Sequence, residues 1–301
     1  MLEDNILAFQ NTKPFDFEKM FEPDTEIFDE IQTMSQIYKQ AKPFPHIVID
    51  NLFDPTVLDE LLDDFPGVED DFWDSFNNQK EVKLASKSEL NFPPRIRGFL
   101  DKLNSANFLR LLEKLTGIEG LVPDPYYYGG GLHQIERGGK LGIHADFNRH
   151  ISFKLDRRLN LLVYLNKNWK EEYGGSLELW NKSMTKCEDK VLPVFNRCVV
   201  FSTTDTSYHG HPDPLTCPEG WTRKSLALYY YSNGRPAHEQ SGSHVTLFRS
   251  RPGEELPADA KPKRTFRQFL KRVRMVVRHN LLLICPPILV QIWSAVKNRL
   301  G

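Results

Sequence analysis

Three short groups of residues in this 301-residue chain have the types and spacing for metal chemistry. The first is His144-Ala145-Asp146. On a strand, side chains at i and i+2 share a face and can reach one ion. The second is Ser207-Tyr208-His209-Gly210, at the end of a later β-like run. Two histidines and one carboxylate on a β framework form the facial triad that holds non-haem Fe(II) and leaves the opposite face open. A closed structural zinc site would want four protein ligands. His211 shares strand parity with His209 and competes for the third position. His209 is preferred because Gly210 lets the chain turn away from a crowded ion. The third group, Arg223-Lys224-Ser225, opens an apolar run. A guanidinium with a hydroxyl two residues on suits a bidentate grip on a carboxylate. Taken singly, each group also has an ordinary reading, a hydrogen-bonded surface histidine or an edge-strand arginine. Their succession through one β-rich region favours the metal site.

The elements that must position these residues can be read from pattern. The run His46-Ile-Val-Ile-Asp50 after Pro43-Phe-Pro45 predicts a first strand. Asp54-Pro55 followed by Val57, Leu58, Leu61 and Leu62 predicts a capped helix. Further helices are expected over 29–41 and, as one pattern, over 94–115, so the chain before residue 120 reads as mostly helical scaffold. From Tyr126 the texture changes to short β-rich runs between Gly, Asn and Pro. Strands are expected near 131–136, 141–145, 159–165, 176–180, 190–193, 197–202, 207–209 and 225–232. Short strands so closely spaced indicate a sandwich or jelly roll rather than alternating βαβ units.

Composition agrees with a soluble globular protein: 40% hydrophobic, 26% charged and a net charge of −1. Such a balance gives no support to bulk polyanion binding, and no nucleic-acid partner is expected. Collagen-like, disordered and disulfide-scaffold classes are excluded. The four cysteines, Cys187, Cys198, Cys217 and Cys285, form no CxxC pair, and reduced thiols are expected. The first residues lack the basic start and apolar stretch of a signal peptide, so a cytoplasmic location is expected. Charge is unevenly placed, however: residues 261–301 hold ten of the 39 basic residues and none of the 40 acidic ones.

The order HxD, distal His, then Arg-x-Ser opening the last core strand resembles the iron- and 2-oxoglutarate-dependent dioxygenases. Two further segments are similar to the prolyl 4-hydroxylase-like branch. One is Arg158-Leu-Asn-Leu-Leu-Val-Tyr-Leu-Asn-Lys-Asn-Trp169 with Gly174-Gly175-Ser-Leu-Glu-Leu179. The other is the lead-in Pro43-Phe-Pro-His-Ile-Val-Ile-Asp-Asn-Leu-Phe53. The resemblance spans roughly residues 43–235. It implies an α+β fold, a double-stranded β-helix (jelly roll) core with flanking N-terminal helices, and an oxidoreductase using Fe(II), 2-oxoglutarate and O2, with ascorbate as an accessory reductant. Carried over by position, His144, Asp146 and His209 become the iron ligands. Arg223 would bind the distal carboxylate of 2-oxoglutarate, assisted by Ser225 and Tyr164. Gln134 stands where many relatives carry a tyrosine and is expected to contact the co-substrate instead. Asp146 favours hydroxylation over halogenation, because related halogenases lack this carboxylate ligand. The implied products beside the hydroxylated substrate are succinate and CO2.

The expected organisation is an N-terminal extension (1–42), a dioxygenase domain (43–235, with its β-helix core at about 126–235), a linker (236–263) and a basic amphipathic helical tail (264–301). In the tail Phe266, Phe269, Leu270, Val273, Val276 and Val277 recur at helical spacing opposite Arg267, Lys271, Arg274 and Arg278. That pattern suits peripheral contact with an anionic membrane through 264–293, or packing on an acidic protein surface. The substrate is expected to be a small molecule or a peptidyl residue, with Tyr126, Tyr127, Tyr128, Asn148, His150 and Trp180 as entrance candidates. Residues 211–221 are expected to form a loop near that entrance. The rival readings are a catalytically silent jelly-roll binding module and a cupin-like metalloenzyme that does not use 2-oxoglutarate.

Overall fold

The computed structural model describes residues 9–10 and 25–254. The basic tail, the end of the linker and most of the first 24 residues therefore lie outside the described residues, as does Cys285.

The described chain begins with β1 (Phe9–Gln10), then α1 (Thr25–Gln40), β2 (His46–Asp50) and α2 (Pro55–Asp63). Helix α2 starts where the sequence places it, with Asp54 accepting from the Thr56 amide at 2.8 Å and Pro55 in the first turn. A hairpin follows, β3 (Trp73–Asn77) and β4 (Glu81–Ser86), then α3 (Pro94–Leu103) and α4 (Ala106–Thr116). The single helix expected over 94–115 is thus two. Asn104 and Ser105 interrupt it, and the Ser105 hydroxyl caps α4 by accepting from the Phe108 amide. Helix α4 ends at Gly117, whose φ of +74° is the left-handed C-terminal stop. The β3–β4 hairpin corrects the expectation of a mostly helical first half. Its residues alternate poorly in hydrophobicity because β3 is largely exposed and β4 only partly buried.

The remaining strands are β5 (Val122–Pro123), β6 (Gly131–Glu136), β7 (Lys140–Ala145), β8 (Asp156–Tyr164), β9 (Leu177–Trp180), β10 (Cys187–Val191), β11 (Arg197–Ser202), β12 (Tyr208–His211), β13 (Thr222–Ser232) and β14 (Leu247–Phe248). Along the sheet the order is β1-β2-β11-β8-β13-β6-β4-β7-β12-β9-β10. Except for β1 against β2, all pairs are antiparallel. Strand β4 bridges two walls by pairing with β6 at Leu84↔Gln134 and with β7 at Glu81↔Leu141. The walls pack face to face through Val48, Tyr164, Leu177, Leu179, Val199 and Phe201. This nearly closed antiparallel sheet with flanking helices is the jelly roll that the strand spacing indicated, and the double-stranded β-helix that the resemblance implied.

Strand β8 shows how the sequence divides its two faces. Leu159, Leu161 and Val163 point to the helices and join one core with Ile96, Leu100, Phe108 and Leu112. Asn160 and Leu162 point the other way, into a cavity between the walls. The helical layer therefore stiffens the strand that supports the cavity. Leu161→Ala should destabilise the fold by about 2–5 kcal/mol through the cavity it leaves. Chemical denaturation would measure that loss, while metal binding by the folded fraction should not change.

Candidate active site

Strands β7 and β12 pair so that His144 lies directly opposite His209. Their ring centroids are 4.4 Å apart, and Asp146 follows one residue beyond the end of β7. Each histidine Nδ1 donates to a carbonyl of its own strand segment at 2.9 Å, His144 to Gly142 and His209 to Ser207. A carbonyl only accepts, so Nδ1 carries a proton in each ring and Nε2 is the nitrogen turned toward the other two residues. His144 Nε2 lies 3.6 Å from Asp146 Oδ1, and His209 Nε2 lies 3.4 Å from Asp146 Oδ2. Ligand atoms of the three residues all fall within 4.8 Å of one another, the spacing of a metal-binding group. His211 is not in that group.

Electrostatics prepare these residues as ligands. Burial, followed by the neighbouring His144, pushes the pKa of His209 down to about 4, so it is neutral at physiological pH. Burial works against the charge of Asp146, yet Arg157, His209 and His144 outweigh it and hold its carboxyl well below the ordinary range. A charged carboxylate and a neutral imidazole are the protonation states a divalent metal requires of Asp146 and His209.

Arg223, near the start of β13, is buried in the same cavity. Its Nε donates to the Gly175 carbonyl at 2.8 Å and its NH2 to the Tyr164 hydroxyl at 3.4 Å. Gly175 is required for this approach. Its φ is +75°, and a Cβ there would lie 2.9 Å from Arg223 Cδ and 2.7 Å from Leu215 Cδ2. No carboxylate pairs with Arg223 among the described residues, and burial lowers its pKa. A buried guanidinium without a counter-ion is costly, so the site is suited to receive an anion. Cross-strand register puts Ser225 beside both Tyr164 and His133. Ser225 lines the cavity, whereas Tyr164 stands behind Arg223 with its ring 4.9 Å from the guanidinium carbon.

The expected contact from Gln134 is corrected. Strand alternation turns Gln134 away from the cavity, opposite Lys224 and Leu84, while His133 and Ile135 line it. His133 pairs with Ser225 and Ile135 with Arg223. His211 also faces inward. A register shift between His209 and His211 redirects the strand there. Its two ring nitrogens and His133 Nε2 are buried without hydrogen bonds. Neither histidine was singled out for this end of the cavity from sequence, because only the register with β13 reveals which residue of β6 faces Arg223.

His133 has a consequence for stability. Burial, followed by Lys83, pushes its pKa down to about 3. In the unfolded chain it would titrate near ~6.5, so between those values the unfolded state binds more protons. The associated stability is present above pH ~6.5 and is lost on acidification toward pH 3, at up to ~1.4 kcal/mol per pH unit. Denaturant midpoints at pH 7 and pH 5 should show a smaller acid loss in His133→Gln than in wild type.

The cavity has a volume of about 530 Å³. Tyr126, Tyr127 and Tyr128 line it as expected, joined by Phe76 and Lys83 of the hairpin and by Phe248 of β14. The other entrance candidates serve structure. Asn148 ties Asp205 to Ser241 and Gly242, and His150 lies 3.4 Å from Asp124. The Trp180 indole donates to Glu178 at 2.9 Å. Residues 212–221 do not line the cavity: Leu215 and Cys217 pack instead on Ile135 and Trp169.

Residues 130–231 match the family described as the 2OG-Fe(II) oxygenase superfamily. Among solved structures, the chain is similar to a Pseudomonas putida prolyl-4-hydroxylase, with 15% identity over 67% of this chain and 100% of that one, at a TM-score of 0.46. It is also similar to a prolyl hydroxylase from Trichoplax adhaerens in complex with a hypoxia inducible factor oxygen degradation domain peptide fragment. There the identity is 16% over 71% of this chain and 96% of that one, at a TM-score of 0.48. For HygX from Streptomyces hygroscopicus with nickel and 2-oxoglutarate bound, the values are 12%, 67%, 92% and 0.42. No curated protein matches the chain.

Proposed function

We propose that this chain, whose residues 130–231 match the 2OG-Fe(II) oxygenase superfamily, hydroxylates its substrate at an iron site held by His144, Asp146 and His209. The donor set fits: two imidazole nitrogens and one carboxylate suit Fe(II) and leave positions open for other ligands. Bound iron with 2-oxoglutarate and O2 would supply the oxidising chemistry, yielding succinate and CO2 as one oxygen atom enters a substrate C–H bond. The single observation that carries the co-substrate reading is Arg223, buried in the triad's cavity and paired with no carboxylate among the described residues.

The remaining roles fall to the protein. Arg223 and Ser225 grip the distal carboxylate, Tyr164 orients the guanidinium, and His133 and His211 close that end as neutral rings. The apolar walls at Leu162, Leu177 and Ile135 exclude water from it. The cavity volume lies in the range of small-ligand sites. Its aromatic mouth accepts a small molecule or one residue of a peptide. Ascorbate would act as an accessory reductant.

No described helix is long and apolar enough to cross a membrane. Peripheral contact of 264–293 with an anionic membrane surface from the cytoplasmic side belongs to this proposal on sequence grounds alone, whereas the expected linker 236–263 is corrected over its described part, where β14 pairs with β7 and Phe248 lines the cavity.

The test is succinate formation from 2-oxoglutarate in air by the purified, iron-loaded protein, with and without a chelator. Slow release that the chelator stops is expected even before the substrate is known. Iron uptake without any succinate would favour the cupin-like reading, and failure to bind iron would favour a binding module.

A further inference from the structure

The roles assigned above leave Arg157 unused, although it is 1% exposed and lines the cavity beside the triad. Strand alternation would place it on the helix-facing side with Leu159. A register shift between β8 and β13, where Tyr230 pairs with Leu159 and Tyr231 with Arg157, turns it inward. Its main chain is pinned there: the Arg157 amide donates to the Asn148 carbonyl at 2.9 Å, and its carbonyl accepts from the Thr203 hydroxyl at 3.0 Å and from Arg235.

The guanidinium is located by contacts other than Asp146. Its carbon lies 3.5 Å from the Tyr229 ring centroid and 4.5 Å from that of Phe147. Its Nε and NH2 both donate to Asn160 Oδ1, at 3.0 and 2.7 Å. Held in this clamp, NH2 reaches Asp146 Oδ2 at 3.1 Å, and Asn160 Nδ2 donates to the same oxygen at 2.8 Å. Two donors thus converge on Oδ2, while Oδ1 has neither of them.

We infer that Arg157 is a positioning residue for Asp146: clamped by Tyr229, Phe147 and Asn160, it fixes the carboxylate so that Oδ1 is presented to the metal. The inference rests on the reading of His144, Asp146 and His209 as a metal site. It makes a directional claim, because two effects oppose each other. A cation next to a divalent metal repels it, so charge alone would weaken metal binding. Orientation of the ligand strengthens it, and outer partners of metal ligands typically contribute 10–100-fold in affinity. The clamp is built for orientation, so orientation dominates.

The experiment is titration of the whole protein with Co(II), followed through its visible d–d spectrum, which reports the ligand set. Arg157→Met should weaken Co(II) binding by about 10–100-fold and alter the spectrum. Arg157→Lys keeps the charge without the planar fork, and should restore neither. Asn160→Ala removes the other donor and part of the clamp, and should shift both readouts in the same direction; it decides the matter if Arg157→Met does not fold. Unchanged or tighter binding with an unaltered spectrum in a folded Arg157→Met protein overturns the inference, and so does full recovery in Arg157→Lys. The reading beneath it fails separately. Wild-type protein that binds Co(II) but shows no response to 2-oxoglutarate loses the co-substrate assignment while the Arg157 test stands. Wild-type protein that takes up no Co(II) removes both.

Discussion

Asp146→Ala is expected to bring turnover to background and to lower metal affinity by more than ~100-fold, since outer partners alone cost 10–100-fold. The carboxylate is the only anionic group of the triad, and its loss leaves two imidazoles to hold a dication. A second effect should accompany the first. Asp146 is the carboxylate that Arg157 contacts, at 3.1 Å. Removing one partner of a buried ion pair costs about 3–5 kcal/mol because the other charge stays buried. Asp146→Ala should therefore be markedly less stable than wild type without metal, as thermal unfolding would show. Asp146→Asn keeps a hydrogen-bond acceptor for Arg157 and should lose metal binding with a smaller loss of stability. Full activity in either variant contradicts the ligand assignment.

Arg223→Leu is expected to raise the 2-oxoglutarate concentration for half-maximal activity by ~30-fold or more. Truncating one partner of a buried, hydrogen-bonded charge pair costs about 2–5 kcal/mol, and each 1.4 kcal/mol is tenfold. With saturating co-substrate the maximal rate should fall much less, because the guanidinium grips the end of the molecule remote from the metal. Stability should move the other way. Among the described residues Arg223 hydrogen-bonds only a carbonyl and a hydroxyl, so an apolar residue there should leave the melting temperature unchanged or raise it. Loss of co-substrate binding at undiminished stability distinguishes a residue held for function from one held for packing. Determining the 2-oxoglutarate dependence and the melting temperature of the same preparation checks both halves.

Much of this arrangement was legible in the residues because the determinants are local. The i, i+2 spacing of His144 and Asp146, the glycine after His209 and the serine two residues after Arg223 need only strand periodicity to be interpreted. The capped start of α2 and the short, evenly spaced strands after Tyr126 are of the same kind. What escaped depends on pairing between distant segments. The choice between His133 and Gln134 turns on the register of β6 against β13, which no local pattern encodes. Arg157 sits on the wrong parity of its strand until the register shift against Tyr230 and Tyr231 is known. The β3–β4 hairpin was missed because neither strand is buried enough to show alternation, although β4 joins the two walls of the barrel.

These positions also explain how the fold serves the site. The core under β8 is apolar and helix-backed, whereas its cavity face carries Asn160 and Tyr164. The helix-facing side of the strand is wholly apolar, while the other side mixes the polar Asn160 with Leu162 and Tyr164, which pack in the core between the walls. The same strand thereby positions Asn160 against Asp146 and Tyr164 against Arg223, at the two ends of the cavity.

The most direct measurement is an anaerobic titration of the metal-free protein with Fe(II) and then 2-oxoglutarate, recording the visible spectrum. A weak charge-transfer band from a keto acid chelated to iron should appear in wild type, disappear in His209→Ala, and require much more 2-oxoglutarate in Arg223→Leu. Tight iron binding with no band at any 2-oxoglutarate concentration, or an undiminished band in His209→Ala, would contradict the assignment.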